Sequence, residues 1–116
     1  MKDRFIGIWK IDPEDYRAIE AYGNVTIEFN STGRLRYIIH TEEKEQIMFM
    51  TYEVDGDRLI TDQPSAPRIE TSRFEFVSDD KLKLFFDGFE STYIRLAGKK
   101  VSPWKKWLGR FKSKDA

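Results

Sequence analysis

Few residues of this chain are equipped for bond-making chemistry. His40 is the single histidine and there is no cysteine, so neither a histidine cluster for a metal nor a thiolate site can be assembled. His40 closes an apolar alternating run beside "TEEKE" (41–45), the setting of a solvated histidine. The carboxylates of "DPED" (12–15) and "EEKE" (42–45) lack apolar neighbours to shift their ionisation. No Gly-x-Ser-x-Gly elbow activates a serine, and no glycine-rich loop cradles a phosphate. The residues argue against an enzyme, and no metal or cofactor is expected.

The residues suited to function are apolar and aromatic, and they point to binding. Met48, Met50, Tyr37 and Tyr52 alternate along two runs at strand spacing. Tyr16, Ile19 and Tyr22 lie in a segment with helical signals. Methionines are pliable fillers, and an apolar concave lining is what small-molecule sites are made of. The same bulky side chains are also able to plug a core solidly, so two outcomes stand: a cavity under a lid, or a packed interior.

The elements that must position these residues are legible from turn signals. "NSTGR", "DGD", "SDDK" and "DGF" fall at short, even spacing between runs rich in Val, Ile, Tyr, Phe and Thr. Strands are predicted near 4–11, 23–30, 33–41, 46–55, 58–62, 68–77, 81–87 and 89–97. Hairpin-length loops make successive strands antiparallel neighbours. Eight such strands can close into an up-and-down barrel, an all-β fold without exposed edges. The exception to hairpin spacing is "DPEDYRAIEAYG", a short helix with Asp12 as N-cap, Pro13 at the first position and Gly23 as its stop. With 116 residues the chain is one barrel domain, 1–97, followed by a tail, 98–116.

Gly7-Ile8-Trp9, with "STYIRL" placing Arg95 near the end of the last strand, resembles the Gly-x-Trp and arginine signature of the lipocalin and wider calycin barrels. The hairpins "YEVDGDRL" and "FEFVSDDKLKL" are similar to those of small bacterial lipocalin-like domains. The resemblance spans residues 4–97. It implies that Trp9 sits at the closed end with Arg95 across it, a structural signature together with Gly7. It also implies a barrel interior able to hold a small ligand, and it brings haem ligation by a single histidine into view as a minor alternative for His40. With Trp9 inward, parity turns Phe5, Val25, Ile27, Phe29, Leu35, Tyr37, Ile39, Met48, Met50, Tyr52, Val54 and Leu59 inward. Phe74, Phe76, Leu82, Leu84, Phe86, Phe89, Ser91 and Tyr93 follow. Ile6, Ile8, Ile94 and Leu96 then form an exposed apolar patch on the outside.

Charge is segregated. Residues 97–116 hold seven Lys or Arg and one Asp, while residues 1–96 hold 13 against 19 Asp or Glu, so a body at −6 carries a tail at +6. The loops opposite Trp9 carry Asp12, Glu14, Asp15, Glu20, Glu42, Glu43, Glu45, Asp62 and Asp87 against Arg17, Lys44 and Arg68. Such a rim repels nucleic acid and attracts cations or basic surfaces. In the tail, Ser102 and Pro103 open a helix whose Trp104, Trp107, Leu108 and Phe111 share one stripe, with Lys105, Lys106 and Arg110 on the other face. That helix is expected to dock on the outer apolar patch; the alternative is an anionic membrane surface. No apolar run is long enough to span a membrane, and "MKDRFIGIW" enters a strand pattern at once, so a cytoplasmic monomer or weak homodimer is expected. The functional expectation is a non-enzymatic barrel for a small apolar or lipid-like ligand. The alternative is a protein-interaction adaptor or inhibitor module on the same scaffold.

Overall fold

The computed structural model describes residues 2–65 and 67–97. The expected tail helix, with Trp104, Lys105, Lys106, Trp107, Leu108, Arg110 and Phe111, lies outside the described residues. Eight strands run in order around a closed antiparallel barrel: β1 (Gly7–Ile11), β2 (Asn24–Phe29), β3 (Arg34–His40), β4 (Glu45–Asp55), β5 (Arg58–Asp62), β6 (Glu70–Ser78), β7 (Lys81–Phe86) and β8 (Phe89–Ala97). One helix, α1 (Tyr16–Tyr22), separates β1 from β2.

The ladder confirms the inward parity. Trp9 pairs with Ile27 on one side and Arg95 on the other, Tyr37 with Met48, Leu35 with Met50, and Phe76 with Leu82. The interior of the closed end is packed. Phe5, Trp9, Val25, Phe29 and Leu82 are fully buried. The Phe5 ring lies 5.1 Å from Phe29, 4.9 Å from Phe74 and 5.0 Å from Phe76, the tilted and edge-on contacts that aromatic quadrupoles favour.

Three local expectations are corrected. The first strand begins at Gly7; Lys2–Arg4 form a 3-10 turn, with Phe5 N–H donating to the Lys2 carbonyl and Ile6 N–H to that of Asp3. The turn folds Phe5 under the barrel as a plug. Gly7 makes the change of direction at φ +133°, a region closed to residues with a Cβ. The helix begins three residues later than its first cap signal, because Asp15 is the N-cap: its Oδ1 accepts from Ala18 N–H. Asp12 closes the preceding turn instead, accepting from Glu14 N–H. The helix does stop at Gly23, φ +89°, whose N–H donates to Ile19. Finally, the outer patch on β1 and β8 is not openly exposed. The ladder shifts between Ile8 and Trp9, so that Ile8 pairs with Ala97. Ile8 is only 6% exposed, Ile6 and Ile94 are half-buried, and Leu96 alone is open.

Candidate functional site

The two ends of the barrel are built differently. At the closed end, Arg95 lies with its guanidinium carbon 4.2 Å from the Trp9 ring centroid. It donates to the carbonyls of Ile6, Arg4 and Asp79 and pairs with Asp80 at 3.3 Å. Trp9 Nε1 donates to the Phe5 carbonyl at 2.8 Å. Most of these donors go to main chain, so the arrangement fastens the N-terminal turn and the β6–β7 turn across the barrel bottom. Burial lowers the guanidinium's hold on its proton, opposed by Asp80 and Asp79. Tyr52 also belongs to this end: it is 2% exposed, its hydroxyl donates to the Asn30 carbonyl at 2.7 Å, and its ring stands 5.0 Å from Phe29.

Above this floor the interior is less filled. A cavity of about 480 Å³ opens at the opposite end, within the range of small-molecule sites. Its apolar walls come from Ile27, Leu35, Ile39, Met48, Met50, Leu59, Leu84 and Phe86. Its polar atoms come from Tyr22, Tyr37 and Tyr93, from Ser91, and from Thr61, Gln63, Arg68, Glu70 and Ser72 on the β5–β6 side. Of the two outcomes, a cavity or a packed interior, this end of the barrel has a cavity and the other end is packed.

The residues singled out from sequence fall in three places. Tyr22, Tyr37, Met48 and Met50 come together on the cavity wall. Tyr52 faces inward but one level too low, in the floor. Ile19 packs half-buried against the core and Tyr16 is 75% exposed. Helix α1 packs on β2 and β8, so only its last turn, Ala21 and Tyr22, reaches the mouth. Tyr22 is fixed there edge-on to Phe89 at 5.4 Å, with Arg17 5.6 Å over the other ring's centre. His40 lies partly exposed on the outer wall, away from the cavity, where its ring bonds Thr26 Oγ1 at 2.9 Å and Glu45 at 3.0 Å.

The polar side of the cavity was missed from sequence. Glu70 and Ser72 share parity with Phe74 and Phe76, and they face Thr61 and Leu59. The alternation of "ETSRFEF" was signal enough, had polar residues been counted with the apolar ones. Glu70 receives Arg68 at 3.0 Å; the Arg68 side chain is 76% exposed and that of Glu70 30%. Arg68 N–H donates to Asp62.

Burial and neighbouring charge tune the phenols. Tyr37 is pushed up to about 12, chiefly by burial, then by Tyr22 and Glu70. Burial raises Tyr22 and Tyr93 as well, with Asp87 and Glu70 adding at Tyr22. Tyr93 bonds Ser91. The hydroxyls of Tyr22 and Tyr37 have no hydrogen-bond partner among the described residues, and both line the cavity. The acidic rim is smaller than its loops suggested. Asp12, Glu14 and Asp15 lie on an outer flank beside Lys81, Lys83 and Glu90, and Asp15 also accepts from Thr92 N–H at 2.9 Å. No group of three or more candidate ligands for a metal ion occurs among the described residues. No described helix is long and apolar enough to cross a membrane.

This geometry defines a class: a small closed barrel, sealed at one end by an arginine on a tryptophan and hollow at the other. No family model and no curated protein matches the chain. Among solved structures it is similar to a lipocalin-like protein from Bacteroides uniformis, at 15% identity and a TM-score of 0.62, over 80% of this chain and 99% of that one. The fold is that of a small lipocalin-like barrel.

Proposed function

We propose that the barrel binds one small, largely apolar molecule in the cavity bounded by β2–β8 and the end of α1. The single observation behind this reading is the hollow itself. About 480 Å³ stands open in a barrel whose floor is fully packed, and two tyrosine hydroxyls in its wall lack a protein partner. Apolar wall left against water costs stability, and the two solvent-accessible hydroxyls find no partner among the described residues. A bound molecule would offset both. The apolar wall supplies affinity through burial at about 25 cal/mol per Å², and the tyrosines supply orientation. No covalent step is part of this reading.

The test is a titration with a neutral apolar fluorophore. Wild type should bind it once per chain, and Ser72→Phe, which narrows the cavity from β6, should weaken binding about tenfold or more, as a blocked site does. Equal binding by both proteins would place the fluorophore elsewhere and overturn the proposal. A solid adaptor would take up no fluorophore at all.

A further inference from the structure

The polar atoms of the cavity are not neutral in what they ask of a ligand. Glu70 projects from β6 onto the wall, and it is less than half as exposed as the arginine that pairs with it. Arg68 sits at the rim with its guanidinium turned largely to water and already engaged by Glu70 at 3.0 Å. A carboxylate ligand drawn to Arg68 would stand beside Glu70. A cation on the cavity side of Glu70 shares that carboxylate with Arg68, whose guanidinium is turned largely to water and so screened. It finds a carboxylate, the oxygen lone pairs of Tyr22 and Tyr37, and aromatic faces, the usual surroundings of an ammonium group. The charges acting on these phenols agree in sign. Glu70 and Asp87 bear on Tyr22, Glu70 on Tyr37, and Asp15 on Tyr93, each disfavouring a further negative charge.

Resting on the ligand-binding reading above, we propose that the occupant is an amphiphile with a protonated amine or quaternary ammonium head, seated between Glu70 and the hydroxyls of Tyr22 and Tyr37. Its apolar body lies against Met48, Met50 and Leu84. The recognition is electrostatic at the head and hydrophobic along the body, so a neutral alcohol of equal length binds more weakly and a carboxylate more weakly still.

Displacement of the neutral fluorophore by decylammonium, decanol and decanoate at one ionic strength tests this. Decylammonium should compete about tenfold better than decanol, the scale of one partly screened charge contact. Decanoate should be the poorest. Glu70→Gln should erase the ammonium preference, and a cooperative thermal unfolding transition reports that the variant folds. Arg68→Ala, which leaves Glu70 unpaired, should enlarge the preference. Equal displacement by all three, or an ammonium preference that survives Glu70→Gln, overturns the amine assignment while the cavity reading stands. Failure of the fluorophore to enter wild type removes both.

Discussion

Arg95 and Trp9 are the residues on which the closed end depends most. The cation over the indole face also carries hydrogen bonds to three carbonyls, so it braces the turn that holds Phe5. Trp9→Ala should destabilise by about 3–5 kcal/mol, the range for a fully buried large aromatic. In a double-mutant cycle with Arg95→Ala, denaturation midpoints should show coupling of about 0.5–2 kcal/mol; additive effects would contradict the contact. The tyrosines give a pH signature. Tyr37 and Tyr52 are raised from 10.0 to about 12, by burial first. Between those values the unfolded chain loses phenolic protons that the folded chain keeps. Their contribution is therefore intact below pH 10 and is lost as pH rises towards 12. Denaturant titrations at pH 9 and pH 11 should show this fall, and Tyr37→Phe should make it shallower. Phenolate absorbance of the native protein should still be incomplete well above pH 10.

At the scale of elements, most of the barrel was readable because period-two alternation survives on every strand and the turns carry Asn, Asp and Gly. Three things were not. "KDRF" offers Asp3 alone and no Gly, Pro or Asn, so the 3-10 turn that plugs the barrel looked like strand. "DPED" holds two possible caps, and the choice of Asp15 is made by Thr92, 77 residues away, a contact no local pattern contains. The polar cavity wall was hidden by attending to apolar residues alone. Glu70 lies on the same face as Phe74, and its pairing with Thr61 on β5 keeps that face interior. Asp15 thus ties α1 to β8 with both carboxylate oxygens. Asp15→Ala should cost about 1–3 kcal/mol, a lost cap plus an orphaned N–H. Hydrogen exchange should locate the loosening in α1 and at Thr92; protection unchanged at both would contradict the tie.

For the whole molecule, the fold divides labour along the barrel axis. Aromatic packing and Arg95 close one end, which frees the other to stay hollow without an exposed sheet edge. The acidic surface expected around the mouth is partly used for structure, in caps and ion pairs, and what acts on the interior is mainly Glu70 and Asp87. A cavity that depends on a sealed floor should fill from one side only. The most direct test uses the methionines, of which the chain has three, because Met48 and Met50 stand on the cavity wall. With carbon-13 in the methionine methyl groups, decylammonium titrated into the protein should move the Met48 and Met50 signals together, saturating at one ligand per chain. Binding that leaves both signals in place, or no binding while the barrel remains folded, would contradict the account.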